Sequence, residues 1–284
     1  MPPRPTRPRP PTRPNLPPMP SALPLFAKVA RDSWPGLLAW AAAIAGTMLV
    51  YLPLHRSFSD EEIFTELIKS MPEELIRALN YDLLVTGPGY VQATIYGLIG
   101  FAFLTIAAVG WGGQAVGGDE ESGRLELTLA HAVGRSRVVL ERALALTLKV
   151  VVLAGVTLGM VLVLNEPSDL GIDVANAVQT SVVFAALTLL PGAMALAVGA
   201  WTGRRVPALA AGAALAVLGY TFNAIGNQSA DLDWLHRFSP YHWAYGNQPL
   251  VNGADWAAAA LLAGCSAALI ALAVVGLNRR DVTA

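Results

Sequence analysis

The chain is short of charge. Only 14% of its 284 residues are Asp, Glu, Lys or Arg, where a soluble domain carries about 25%. With 54% hydrophobic residues and a mean hydropathy of +0.50, its composition belongs to a bilayer. Net charge is −1, so no basic surface is present to hold a nucleic acid. The single cysteine, Cys265, lies in an apolar run; it excludes an intrachain disulfide and reads as a small packing residue. No G-x-x-x-x-G-K-[ST] occurs, which removes that route to ATP. H-E-x-x-H and G-x-S-x-G are missing too, and the four histidines are scattered along the chain. A shared metal site needs converging ligands, and a hydrolase needs a nucleophile and base in one cavity. Neither is visible, so the chain reads as a non-enzyme with no cofactor of its own.

What the chain has is apolar length. A membrane helix needs about 20 mostly apolar residues, and six stretches qualify: Trp34–Leu54, Val91–Trp111, Leu144–Leu164, Val174–Trp201, Val206–Ile225 and Trp256–Leu277. Trp34, Trp111, Trp201 and Trp256 edge them, as rings seated at headgroups would. The fold class is therefore an all-α polytopic membrane protein with six spans. With the N-terminus inside, 15 of the 19 Lys and Arg residues fall on or near inner segments and four outside. The positive-inside rule then puts both termini in the cytoplasm of a plasma membrane. Arginine outnumbers lysine and alanine is abundant, which points to a GC-rich bacterial genome.

Residues 1–24 hold 11 of the 20 prolines and four arginines. Such a stretch cannot bury a core and reads as a disordered cytoplasmic tail, either reinforcing orientation or touching anionic lipid or a partner. Residues 25–284 form the membrane domain. In "LFAKVARDSW", Leu25, Phe26, Val29 and Ala30 share one helical face and Lys28, Arg31 and Asp32 the other, the pattern of an interfacial helix before the first span. After that span, Ser59 with Glu62 and Ser70 with Glu73 each fit a capping box, which predicts two short outer helices. They either pack on the outer membrane surface or neighbouring spans, or gate a substrate.

Ion-driven transporters place Asp, Glu, His or Arg at membrane depth. Here the larger polar side chains of the spans are Gln92, Asn176, Gln179 and Asn223, with Lys149 the one cation. Fifteen residues separate Lys149 from Asn165, ~22 Å of helix, so it lies about a turn inside the inner boundary. It either snorkels to the interface or lines a cavity. A body with no energy source of its own is driven from elsewhere or works passively.

The exception to all this greasiness is "GGDEESGRLELTLAHAVGRSRVVLER", Gly117 to Arg142. Asp119, Glu120, Glu121, Arg124 and Glu126 put five charges within eight residues. Burying all five in hydrocarbon costs on the order of 10 kcal/mol or more, so they face water or another protein. Gly112, Gly113, Gly117 and Gly118 loosen the chain before them. The acidic residues gather where a helix N-terminus welcomes negative charge, and Leu125, Leu129 and Ala132 recur at helical spacing. Gly134 ends the turn. The pattern alone fits a solvated loop or a docking helix for a cytoplasmic motor.

This segment resembles the loop of type-2 ABC exporter permeases, with Glu120, Glu121, Gly123, Leu125, Glu126, Val133 and Arg135 at matching positions. Arg124 stands where that family often has threonine, and Gly134 where serine is common. "RFSPYHWAYGNQPLVNGADW", with Ser239, Pro240, Trp243, Pro249 and Trp256, resembles the segment before the family's last span; "NRRDVTA" resembles its closing Arg-Arg-Asp. The likeness is nearest to drug and antibiotic exporters. It implies a coupling helix seated on a separate P-loop ATPase subunit, which carries the ATP and Mg, with Glu120, Glu121, Leu125 and Glu126 as contacts. Arg135 and Arg137 then anchor the turn on phosphate headgroups or the motor's carboxylates. It also implies an outer re-entrant hairpin at Ser239–Trp256, where the residues alone give an ordered interfacial segment rich in Tyr and Trp.

A second six-span permease, identical or not, is expected to complete the transporter within the membrane lipid. Gly199 with Gly203, and Ala208 with Gly212, offer small-residue contacts for it. The implied activity is outward movement of an amphiphilic or hydrophobic compound. A non-transporting scaffold or sensor that recruits a cytoplasmic protein is the other reading of the same features.

Overall fold

A computed structural model describes residues 24–58, 86–130 and 134–280. The N-terminal tail, the two capping boxes after the first span, Val133 and the residues after Arg280 lie outside them. Six helices are long and apolar enough to cross a membrane, and no strand occurs among the described residues. In chain order they are α1 (Pro24–Phe58), α2 (Gly87–Glu121), α4 (Arg135–Asn165), α5 (Val174–Thr202), α6 (Arg205–Gly226) and α9 (Trp256–Arg279). Short α3 (Arg124–Leu129) follows α2. A 3₁₀ helix (Ala230–Phe238), α7 (Pro240–Tyr245) and α8 (Pro249–Asn252) fill the stretch before α9. The expected spans are all present; α5, α6 and α9 keep their ends to within two residues, whereas α1 begins ten residues earlier and α2 and α4 run about ten residues further toward the charged segment.

α5 is the centre. Its apolar window is 67% buried, against 17% for the first span and 22% each for α6 and α9, and it packs on α2, α4, α6 and α9. Phe184 of α5 meets Tyr96 of α2 edge to face, ring centres 5.2 Å apart, and Leu187, Leu190 and Leu196 continue its buried face. Helices exposed on their outer sides and closed on one shared helix are what apolar sequences form when lipid is the outer solvent.

Two local expectations give way. Residues 25–34 are not a separate surface helix: α1 runs unbroken through Pro35. Its N-terminal turn is held by a buried anion, because the Phe26 N–H donates to the Glu141 carboxylate of α4 at 2.8 Å. That carboxylate also accepts from Arg137 Nε at 2.7 Å, and a carboxylate is favourable at a helix N-terminus.

The second concerns α2. Its glycines do not loosen the chain; they remain helical and are where α2 touches its neighbours. A Cβ at Gly112 would sit 2.2 Å from the Gly192 carbonyl oxygen of α5, and one at Gly117 would sit 2.7 Å from the Arg204 carbonyl oxygen. Trp111 lies ten residues before the end of α2. The small residues read as a contact for a second copy are used the same way. Ala208 is fully buried, Gly199 lies against Gly117, and Gly212 against Pro191 of α5.

α2 is also wound two ways. Gln92–Ile99 and Gln114–Gly118 are π-helical; Gly100 N–H reaches the carbonyl of Ile95, and Asp119 N–H that of Gln114, each five residues back. π turns are rare and gather at functional sites.

Candidate functional site at the two poles of the bundle

α1, α2, α4, α5, α6 and α9 alternate in direction, so the start of α1, residues 119–130, the start of α4, the α5–α6 turn and the end of α9 share one pole. Charge ties them together. Asp119 pairs with Arg142 of α4, which also donates to the Ala115 carbonyl. Glu120 is gripped by both terminal nitrogens of Arg280, beyond the last helix. Glu121 accepts the Arg205 N–H at 3.0 Å. Arg135 donates to the Arg280 carbonyl at 2.7 Å. Gly123 turns the chain into α3 with φ +69°, a backbone shape that disfavours a side chain.

These positions sort the residues expected to meet a partner. Leu125 is fully buried against the chain's own Val116, Val138, Val139, Leu196 and Leu277, so it has no surface to offer. Glu120 is likewise spent on Arg280. Arg135 anchors its turn on the end of α9, where headgroups or a partner's carboxylates were expected. Glu121 and Arg124 are exposed, Glu126 is half-buried, and Leu127 is 67% exposed. Leu127 was missed because only its neighbours matched the family pattern. Lys149 is 9% exposed and its Nζ lies 5.0 Å from the Trp111 ring centre, an inward cation–π contact.

The opposite pole is a web of amides and phenols. Ser239 accepts the His242 N–H at 3.0 Å and donates to the Gly219 carbonyl at 2.6 Å. Pro240 and Pro249 open α7 and α8, where a missing N–H costs nothing; Gln248 between them has φ +50°. The result is a tight two-helix turn.

All four amides noted in the spans hold this turn or the residues beside it. Gln92 accepts the Leu250 N–H at 2.8 Å, and Gln179 accepts the Ala254 N–H at 3.0 Å. Asn176 donates to the Val251 carbonyl at 3.0 Å, and Asn223 Oδ1 lies 3.1 Å from His242 Nδ1. Read singly in an apolar helix they looked incidental. Their partners lie 19 to 158 residues away in the chain.

Tyr241 and Tyr245 turn inward, not to a membrane interface, and donate to the Gly97 and Tyr96 carbonyls of α2, each at 3.0 Å. Burial raises both phenols well above their ordinary value. Trp243 donates to the Arg237 carbonyl at 3.1 Å, and Trp256 at the start of α9 is 56% exposed. His236 and His242 stack with ring centres 3.7 Å apart; His236 is held by Asp233 and Asn227. Burial first, and then His236, lowers the His242 imidazole below the ordinary 6.5.

Among the described residues no group of His, Cys, Asp and Glu converges as metal ligands would. Comparison with curated proteins finds no match. A family model does match, that of the ABC-2 family transporter protein, across residues 26–282. That range takes in all six spans, the tied charged segment and the capped opposite pole, and the chain belongs to the ABC-2 family of transporter proteins.

Proposed function

We propose that this chain is the permease of an ATP-driven exporter, moving an amphiphilic or hydrophobic compound out of the cell while a separate P-loop ATPase subunit supplies the work. The observation that carries it is the charged pole: Asp119, Glu120, Glu121 and Arg135 bind the chain to α4, α6 and α9 at once. A push delivered to α3 is therefore delivered to several spans, as a rigid-body switch requires. The pole lies in the cytoplasm by its excess of arginine, and Glu121, Arg124, Glu126 and Leu127 form the face that meets the ATPase. The capped pole closes the exterior mouth, and a second permease completes the path.

Few fixed charges among the spans favour apolar cargo. The test is copurification of the chain with a P-loop ATPase from its own cells, and loss of that ATPase and of export in Glu121→Arg/Glu126→Arg. Retention of both by the double variant refutes the docking face. A chain that never associates with an ATPase is a scaffold or sensor instead.

A further inference from the structure

The strongest feature left unused is the π winding of α2. It occurs twice in one 35-residue helix, and at each place a side chain from elsewhere reads a carbonyl inside the π stretch. At the capped pole, Tyr245 and Tyr241 donate to the Tyr96 and Gly97 carbonyls at 3.0 Å, within Gln92–Ile99. At the charged pole, Arg142 donates to the Ala115 carbonyl, within Gln114–Gly118. The sequence permits this winding at particular glycines. A Cβ at Gly100 would lie 2.4 Å from the Ile95 carbonyl oxygen, five residues back. One at Gly97 would lie 2.9 Å from the Gln92 carbonyl oxygen and 2.7 Å from the Tyr241 hydroxyl. By contrast a Cβ at Gly110, in the α-helical middle, would meet nothing within 4 Å.

We propose that the π register of Gln92–Ile99 is the latch of the capped pole: Tyr241 and Tyr245 hold the α7–α8 turn closed only while α2 is wound that way, and rewinding α2 is the release. A π turn carries more residues than an α turn. Removing one residue of excess turns the helix beyond it by ~100° and moves it ~1.5 Å along its axis, which takes both carbonyls out of reach of the phenols. The second π stretch, directly before Asp119, Glu120 and Glu121, lets a displacement of the charged pole shift the register of the same rod. Gln92, whose side chain takes the Leu250 N–H, starts the π stretch and ties α8 to the same event. The inference rests on the exporter reading only for its purpose; the latch itself is a property of this chain.

Hydrogen–deuterium exchange on the full chain in lipid nanodiscs tests it, with no ATPase, nucleotide or cargo present. Tyr241→Phe/Tyr245→Phe removes the donors and leaves the rings; Gly100→Ala opposes the π register and leaves the donors. Each is expected to speed exchange across 241–254 by roughly tenfold, about what one to two ordinary hydrogen bonds hold. Gly110→Ala is expected to leave it unchanged. If Gly100→Ala leaves the turn protected while the phenylalanine variant opens it, register does not control the latch and the proposal is overturned. Where Gly100→Ala does not fold, exchange at 95–101 in the phenylalanine variant decides. Coupling is reciprocal, so exchange at 95–101 must rise with that at 241–254, and an unchanged π stretch overturns the proposal. Export and ATPase binding enter neither readout, so a failure here and a failure of the transport reading are separately visible.

Discussion

Removing Arg280 strikes the joint between α9 and the segment leading into α3. Its guanidinium holds both oxygens of Glu120, whose side chain is 8% exposed while that of Arg280 is 26% exposed. Taking away one member of a buried pair strands the other charge in a poor solvent, at about 3–5 kcal/mol. The two halves are not equivalent. Arg280→Ala leaves the more deeply buried carboxylate alone, and about 3 kcal/mol is expected. Glu120→Gln leaves an arginine that water still reaches, and about 1.5–3 kcal/mol is expected. Arg135 binds the Arg280 backbone carbonyl, so that bond survives in the alanine variant and the loss reports the ion pair. Equilibrium unfolding in mixed detergent of both single variants and the double variant gives the coupling energy. A value above about 1 kcal/mol supports a working joint. A value under about 0.5 kcal/mol, the range of independent sites, refutes the account of this pole.

Gly112→Ala places a methyl into the Gly192 carbonyl and is expected to cost about 1–3 kcal/mol or to prevent folding, read by thermal unfolding in detergent; a neutral result removes glycine contact as the reason for the 112–118 run. Gln179→Leu strands the Ala254 N–H, with about 1–3 kcal/mol lost and faster hydrogen exchange at 253–255. The stacked histidines give the capped pole an acid limit. His242 is held below 6.5, so the unfolded turn binds the proton more readily; stability is full above about pH 6.5 and falls as the pH drops toward the folded value. Exchange at 236–246 measured between pH 7.5 and 5 checks this, and His242→Asn is expected to flatten the profile.

The spans were legible because hydropathy over about 20 residues is a local quantity; α5, α6 and α9 end within two residues of where apolar character stops, whereas α1, α2 and α4 continue as helix well beyond it. What the sequence could not show were pairings across distance. Glu120 reads as a free surface charge until Arg280, 160 residues on, is beside it. Leu125 fits a docking stripe by periodicity, yet the face it lies on is the one the chain buries. The 112–118 glycines have two physical uses, freedom and close approach, and composition does not separate them; the Gly192 carbonyl does. Tyr241 and Tyr245 suit a headgroup layer by type, and only the π stretch of α2 explains why their hydroxyls turn in. Even π winding leaves a trace, since Gly97 and Gly100 sit three apart in an otherwise bulky run, but nothing local distinguishes that spacing from ordinary helix contact.

On the function proposed above, the pole bearing α3 faces the cytoplasm and seats an ATPase. In a Cys265→Ala background, a single cysteine at the exposed Leu127 measures both at once. Membrane-impermeant maleimide is expected to spare it in intact cells, to label it in inverted membrane vesicles, and to label it more slowly once the ATPase subunit is bound. Labelling of Leu127→Cys from the outside of sealed cells, or labelling that the ATPase does not slow, contradicts the account.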